Sequence, residues 1–190
     1  MTEPRGWFNS TDVDPTSSFQ LTTSALNILM PGFSNAYGDE PVNVFFTLDT
    51  IDSVTIAEQD STMGADFTLT MNFYANNTQN EMELAAIMTF NDTNFTFSAP
   101  VENMNISLQI VTVNVDKISS SFCSWGNIHT APDKIAINNA VRAILPSVNK
   151  KLDGLSYEFP THLGKYFLLS DLSLGYFNDY LSLGITPTFV

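Results

Sequence analysis

Apolar residues along this chain follow a helical period in two segments and a period of two in most of the sequence between and after them. The stronger helical stripe consists of Ile137, Val141, Ile144, Leu145, Val148 and Leu152. Because residues three and four positions apart share a face of an α-helix, this stripe predicts an amphipathic helix. Pro146 lies inside the pattern and should kink the helix, since proline removes a backbone hydrogen bond. The opposite face carries Asn138, Asn139, Arg142, Asn149, Lys150 and Lys151.

A second amphipathic helix is predicted close to the N-terminus. Thr22 or Thr23 can cap it, because a threonine hydroxyl accepts a hydrogen bond from a free backbone N–H of the first turn. Pro31 interrupts this helix, as a proline interrupts the other one. Residues 1–18 are polar and rich in turn formers, so we interpret them as a linker or arm and residues 19–190 as one domain. The stripe of this helix is Leu26, Leu29, Met30, Phe33 and Tyr37.

Between the helices apolar and polar residues alternate, which predicts β-strands whose successive side chains face opposite sides of a sheet. The clearest strand covers residues 63–74, where the odd-numbered positions are apolar. Residues 91–94, with the sequence Asn-Asp-Thr-Asn, are expected to break the strand that precedes them. Further strands are predicted over residues 42–48, 54–56, 82–90, 95–97, 166–174 and 181–185.

One strand changes the face on which its apolar residues lie. Leu108 and Ile110 hold even positions, whereas Val111 and Val113 hold odd ones. Such a change needs one extra residue, so we predict a β-bulge near Ile110 and Val111. The order of elements predicts an α+β fold, a half-barrel in which a long, strongly twisted antiparallel sheet wraps around two amphipathic helices.

The charge of the chain excludes some partners. Seven Lys and Arg stand against twenty Asp and Glu, which gives a formal net charge of −13. A nucleic-acid binder needs a basic face, so no nucleic-acid partner is expected, and anionic membranes would be repelled. Five glycosylation sequons favour a secreted protein or one of the secretory-pathway lumen. The polar start resembles no signal peptide, so we expect either a removed leader or a piece of a longer chain. The sequons begin at Asn9, Asn76, Asn91, Asn94 and Asn105.

No motif of catalysis accompanies this pattern. The sequence contains no G-x-S-x-G, no P-loop and no dinucleotide fingerprint. His129 and His162 are far apart, and neither has a Cys, Asp or Glu at metal-ligand spacing. Cys123 is the single cysteine, and it is either a half-buried free thiol or a link to a partner chain. We expect no enzyme activity, no metal and no cofactor other than a bound lipid.

Two stretches of the chain resemble the C-terminal domain of one family. Phe19-Gln20-Leu21-Thr22-Thr23, followed by a helix with an internal proline, resembles the opening helix of that domain. Leu145-Pro146, Val148-Asn149, Lys151-Leu152 and Gly154, followed by Phe159-Pro160, resemble its closing helix. The family is that of bactericidal/permeability-increasing protein, lipopolysaccharide-binding protein and cholesteryl ester transfer protein, and the resemblance covers residues 19–189.

The resemblance implies a tubular fold of two half-barrels joined end to end, each holding lipid acyl chains between a long helix and a sheet. It implies that lipid is a partner, and that a second half-barrel domain or another protein docks at the end of this one. Because the chain is acidic, we expect a neutral or zwitterionic lipid. The alternative is a structural or protein-interaction component that keeps the fold without transferring lipid. The candidate lipid-binding residues are Leu26, Met30, Phe67, Leu69, Met71, Ile137, Val141, Ile144, Leu145 and Val148.

Overall fold

The structure is a computed structural model, and it describes residues 7–58, 60–126, 134–154, 156–178 and 180–189. The three helices are α1 (Thr23–Leu26), α2 (Phe33–Tyr37) and α3 (Lys134–Asp153), and a 3-10 turn covers Ser10–Asp12. In chain order the strands are β1 (Trp7–Phe8), β2 (Val42–Ala57), β3 (Thr62–Asn76), β4 (Met82–Ser98), β5 (Val101–Glu102), β6 (Asn105–Ile106), β7 (Gln109–Asn114), β8 (Lys117–Cys123), β9 (Tyr157–Glu158), β10 (His162–Leu163), β11 (Phe167–Phe177) and β12 (Tyr180–Phe189).

The main sheet has six antiparallel strands, and the predicted α+β architecture with a long sheet is confirmed. Its order is β1-β2-β3-β4, and β7 and β8 pair one after the other with the far edge of β4. Strands of this length twist and coil, which gives the sheet one inner face for the helices to cover. Separate three-stranded sheets are formed by β5, β6 and β9 and by β10, β11 and β12.

Cross-strand pairing in β2, β3 and β4 defines the inner face of the sheet. Directly paired residues share a face, and the buried residues Val44 and Phe73 identify the inner one. Apart from one threonine, the paired rows on this face are apolar. From one end of the sheet to the other they are Val44–Phe73–Ala86, Phe46–Met71–Met88, Leu48–Leu69–Phe90, Ile51–Phe67–Thr93, Val54–Ala65–Phe95 and Ile56–Met63–Phe97.

The predicted bulge in the strand after β6 is confirmed. Ile110 pairs with Phe97 and Thr112 pairs with Thr96, so that Val111 is the extra residue. As a result Ile110 is 9% exposed, whereas the adjacent Val111 is 46% exposed and points outward.

Two of the predicted strand boundaries are wrong, and β-bulges are the reason in both cases. Residues 91–94 do not break β4, because the chain absorbs them as a bulge with Asp92 at a φ of +51°. Residues 42–48 and 54–56 belong to one strand, β2, which contains two bulges of its own. A bulge lets a strand continue through a polar stretch and still return its next apolar side chain to the inner face.

The first predicted helix is wrong in its length, because it is divided into α1 and α2. Thr22 caps α1, and its hydroxyl accepts a hydrogen bond from the backbone N–H of Ala25 at 3.2 Å. Gly32, at a φ of +91°, separates the two helices in a left-handed conformation that favours glycine. The Trp125 ring fills the space beside it, stacks on Phe33 with ring centroids 4.7 Å apart, and donates a hydrogen bond from Nε1 to the Pro31 carbonyl.

The second predicted helix is confirmed in its register. Ile137 of α3 is buried, and the core also contacts Val141, Ile144, Leu145, Val148 and Leu152. Pro146 lies inside the helix, as expected. His129 lies outside the described residues. None of the described helices is long and apolar enough to cross a membrane.

Residues 7–18 pack against the domain, where a polar arm was expected. Phe8 and Val13 are buried in the core, and β1 pairs with β2 at Val44 and Phe45. Two apolar side chains in a polar segment are a weak sequence signal, but burying both helps to attach the segment.

Candidate functional site

The candidate lipid-binding residues gather around one interior, with a single exception. Leu26, Met30 and Ile137 are fully buried in the core. Phe67 lies apart from that core, in contact with the rings of Phe95 and Phe97 at centroid distances of 5.2 and 6.1 Å. The other candidates are half-buried and pack against the core; they are Leu69, Met71, Val141, Ile144, Leu145 and Val148.

Two asparagine side chains attach α3 to β7, at the edge of the sheet. The Asn149 amide accepts from the Ile110 N–H at 2.8 Å and donates to the Ile110 carbonyl at 2.9 Å. The Asn138 amide accepts from the Val115 N–H at 2.9 Å and donates to the Val115 carbonyl at 3.3 Å. These amides thus satisfy backbone groups that an edge strand otherwise leaves to water. Both residues were expected on the face opposite the apolar stripe, and the sequence did not indicate this contact with the sheet edge.

The N-terminal segment holds the opposite side of α3. The Asp14 N–H donates to the Ser147 hydroxyl at 3.0 Å, and the Ser17 hydroxyl donates to the Ala143 carbonyl at 3.1 Å. Lys151 forms an ion pair with Asp12, with 2.7 Å between Nζ and Oδ2. Because this segment also pairs with β2, α3 connects the two edges of the sheet and covers part of the inner face between them.

The inner face is not covered along its whole length. Leu48, Ile51 and Val54, on the inner face of β2, are 49%, 57% and 64% exposed. We call these three residues the open edge. Their partners on β3 are half-buried in the case of Leu69 and Phe67 and buried in the case of Ala65, so exposure falls along each row away from β2. The open edge is an accessible apolar surface that continues onto the inner-face residues of β3.

The open edge was not predicted from the sequence. Its apolar residues recur every third position in Leu-Asp-Thr-Ile-Asp-Ser-Val, which does not match the period of a regular strand. Asp49 and Asp52 sit at the two bulges, where Asp49 Oδ2 accepts from the Thr70 hydroxyl at 2.6 Å and Asp52 accepts from Thr68 at 3.3 Å. A strand with a polar bulge residue after each apolar one is the signal that would have identified it.

One polar residue lies among the apolar rows. Thr93 is 1% exposed, and its hydroxyl is the buried side-chain oxygen for which the described part of the chain offers no hydrogen-bond partner. It occupies the row of Ile51 and Phe67, next to the aromatic cluster of Phe67, Phe95 and Phe97.

Polar groups occupy the outer face of the same strands. The Asp66 carboxylate accepts hydrogen bonds from Ser53 and Asn94, and these bonds, that of Ser53 foremost, lower the pKa of Asp66. Cys123 is a half-buried free thiol whose pKa is raised by burial, and the structure does not test a link to a partner chain. The described residues contain no group of side chains suited to a metal ion.

Two hollows lie away from the candidate residues. One, of about 410 Å³, is lined mostly by polar residues of β4, the β7–β8 junction and the start of α3, among them Asp92, Asp116 and Lys134. The other, of about 430 Å³, lies in the turn of residues 158–162. Neither is lined by a candidate lipid-binding residue.

The comparisons with known proteins agree with this fold. A crystal structure of lipopolysaccharide binding protein aligns with a TM-score of 0.54 at 16% sequence identity, over 96% of this chain and 40% of the other. This chain therefore corresponds to about two-fifths of the length of that protein. No curated protein matches the sequence significantly. The profile described as "LBP / BPI / CETP family, C-terminal domain" matches residues 8–186. The chain therefore belongs to the lipid-binding family of LBP, BPI and CETP and corresponds to the C-terminal domain of that family.

Proposed function

We propose that this domain binds the acyl chains of a neutral or zwitterionic lipid on the inner face of its main sheet. The observation that carries the proposal is the open edge, where Leu48, Ile51 and Val54 expose apolar surface that continues onto the inner face of β3. Each methylene transferred from water to such a surface gains about 0.8 kcal/mol, so eight methylenes gain roughly 6 kcal/mol before the cost of ordering the chain. The residues that contact lipid are, in this proposal, the half-buried candidates together with the open edge.

The charge of the domain supports the choice of lipid. A net charge of −13 repels anionic headgroups. The basic residues that come closest to forming a cluster are Arg142, Lys150 and Lys151 on α3. Lys151 is already paired with Asp12. A lipid with no net charge avoids this repulsion.

Native mass spectrometry of the purified protein tests the proposal. We expect extra mass that organic solvent releases and that fragments as a lipid without net charge. Protein that carries no lipid, and takes none up from phosphatidylcholine vesicles, would contradict the proposal. Tight, salt-sensitive binding to anionic vesicles would contradict only the choice of lipid.

A substitution in the middle of the candidate site separates a lipid slot from a solid core. Leu145→Trp adds bulk at a half-buried position of α3 that packs against the core. In a slot it should displace lipid and leave the free energy of unfolding nearly unchanged. In a solid core it should overpack, at a cost of about 1–3 kcal/mol.

The second candidate function is a structural or protein-interaction role. It is favoured by the sheet of β10, β11 and β12, whose exposed apolar residues include Phe167, Leu168, Leu181, Leu183 and Phe189. Exposed apolar surface of this kind often marks a contact with another protein or domain. A second half-barrel domain or another protein would cover it. Size-exclusion chromatography with light scattering tests this role, and a lipid-free protein that forms a stoichiometric complex would favour it over lipid binding.

The proposal also includes a secreted or lumenal location and the use of at least one sequon. Asn76 ends β3 beside the exposed turn that contains its sequon residue Thr78. Treatment of the natively expressed protein with peptide N-glycosidase should lower its apparent mass. An unchanged mass would contradict the glycoprotein assignment without affecting lipid binding.

A further inference from the structure

Thr93 has a buried hydroxyl that the fold itself does not use. The residue is 1% exposed, and no hydrogen-bond partner for Oγ1 lies in the described part of the chain. Buried polar groups in proteins are nearly always paired, because an unpaired hydroxyl loses its bond to water on burial. A group that remains unpaired in a binding interior is therefore expected to meet its partner in the ligand.

The bulge in β4 places this hydroxyl on the inner face. Phe90 faces inward, and in a regular strand positions 92 and 94 would follow it there. The extra residue at Asn91 and Asp92 moves Thr93, Phe95 and Phe97 to the inner face instead. Valine has nearly the same shape as threonine and would fill this apolar row, so packing alone does not require the hydroxyl.

The position of Thr93 relates it to the open edge. Ile51 pairs with Phe67, and Phe67 pairs with Thr93, so the three residues form one row across three strands. Neighbouring strands are about 4.8 Å apart, and Thr93 therefore lies about 10 Å from Ile51 along the inner face. An acyl chain that lies across Ile51 and Phe67 with its carbonyl end toward β4 brings the carbonyl group to the Thr93 hydroxyl.

We propose that the Thr93 hydroxyl donates a hydrogen bond to the carbonyl oxygen of a lipid ester, so that the domain prefers ester-linked to ether-linked acyl lipids. A single neutral donor among apolar side chains suits a neutral acceptor. A phosphate or a carboxylate would need a cation that this row does not contain. The inference rests on the proposed lipid-binding function and names the group of the lipid that the site recognises.

The test compares two lipids that differ in this carbonyl group alone. Delipidated protein is incubated with equal amounts of a diacyl phosphatidylcholine and its dialkyl ether analogue of the same chain length, and native mass spectrometry measures the ratio bound. For the parent protein we expect the ester lipid to be preferred by about three- to tenfold, the range of one neutral hydrogen bond. Thr93→Val should bind both lipids equally, and its melting temperature in the lipid-free state should be unchanged or higher by about 2–4 °C.

Three control variants separate the effect of the hydroxyl from effects of side-chain shape, surface chemistry and glycosylation. Thr93→Ser keeps the hydroxyl and should keep most of the ester preference. Thr96→Val makes the same chemical change on the outer face of β4, where Thr96 pairs with Gly64, and should leave the preference intact. Asn91→Gln removes the sequon that ends at Thr93 but keeps the hydroxyl, so it should behave like the parent protein.

Each outcome decides the inference. Equal binding of the two lipids by the parent protein, or a preference that survives in Thr93→Val, would overturn it while leaving the proposed function intact. An equal loss of preference in Asn91→Gln would overturn it in favour of an effect of the glycan. If the parent protein binds neither lipid, the proposed function fails as well. If Thr93→Val does not fold, the ratio measured for the parent protein and for Thr93→Ser decides.

Discussion

β2 carries apolar residues on its inner face along its whole length, yet its two halves lie in opposite environments. Val42 and Val44, in the first half, are buried in one core with Phe8 of β1, Leu26 of α1 and Phe33 of α2. In the second half, Leu48, Ile51 and Val54 are about half exposed or more. We call the first region, together with the residues of α1 and α2 in the same core, the closed end, in contrast to the open edge.

The difference between the two regions separates stability from recognition. Residues of the closed end lose their contact with water in the folded chain, and their burial is the main source of folding free energy. Residues of the open edge remain in contact with water, so the fold gains much less from them. Apolar side chains that contribute little to stability and form one surface are typical of a site that binds something apolar. Each of the following predictions tests this division.

The largest loss of stability is expected at the closed end, from Phe33→Ala. Phe33 of α2 is fully buried and stacks on the Trp125 ring, so the substitution leaves a cavity and removes an aromatic pair. We expect the free energy of unfolding to fall by about 3–5 kcal/mol in urea denaturation. A loss below about 1 kcal/mol would mean that the closed end is loosely packed, and the contrast with the open edge would disappear.

The same substitution in both regions compares them directly. Leu26→Ala truncates a side chain that is 3% exposed in α1, and Leu48→Ala truncates one that is 49% exposed. We expect Leu26→Ala to cost about 2–5 kcal/mol and Leu48→Ala less than about 1 kcal/mol. Lipid occupancy should fall only in Leu48→Ala. If Leu26→Ala folds stably and loses lipid, Leu26 belongs to the site, as its place in the helical stripe suggested, and the closed end extends less far.

The fold could be predicted from the sequence where the hydrophobic period reports which face is buried. The stripe from Ile137 to Leu152 faces the core, and the change of face between Ile110 and Val111 correctly predicted a bulge. Both predictions use the same physics, since a buried face needs apolar side chains at the period of its element.

Prediction failed where a distant residue decides the local structure. Pro31 was expected to interrupt one long helix, but α1 and α2 are two separate helices because Gly32 adopts a positive φ and Trp125, more than ninety residues away, packs there. The contacts of Asn138 and Asn149 with the sheet edge were not predicted, because a helical pattern does not show that an edge strand lies beside its polar face. In each case the partner comes from another part of the chain.

The candidate site was predicted in part, for a similar reason. Helix residues such as Val141 and Leu145 lie on the interior, as their period indicated. Ile51 and Thr93 were not identified, because bulges at Asp49, Asp52 and Asp92 change the period of their strands. A strict period of two detects regular strands and overlooks strands whose bulges bring extra residues into the sheet.

An intermediate effect is expected where α3 meets the sheet. Asn149→Ala leaves the N–H and the carbonyl of Ile110 without their partner in a half-buried position, which should cost about 1–3 kcal/mol. Asn139→Ala is the matched control, because Asn139 is an exposed residue of the same helix, and it should change stability by less than about 0.5 kcal/mol. Hydrogen exchange at the Ile110 amide should accelerate in Asn149→Ala alone. Equal stability of the two variants would mean that the helix is held by its apolar stripe without help from the amide.

The smallest effect on stability is expected at the open edge, from Val54→Thr. The substitution keeps the β-branched shape that suits a strand and replaces one methyl group of a largely exposed side chain by a hydroxyl. Val111→Thr is the matched control, because Val111 is also exposed but points outward at the bulge of β7. Both variants should unfold within about 0.5 kcal/mol of the parent protein, since neither position is buried.

Lipid binding should nevertheless distinguish these two variants. A methyl group that contacts an acyl chain contributes about 0.8 kcal/mol, so Val54→Thr should lower lipid affinity by roughly fourfold, whereas Val111→Thr should leave it unchanged. Native mass spectrometry at limiting phosphatidylcholine measures both variants against the parent protein. If both bind lipid as the parent does, the open edge does not contact acyl chains, and a docked protein accounts better for its exposed apolar residues. A selective loss in Val54→Thr, without a loss of stability, would show that recognition and folding use different parts of the same strand.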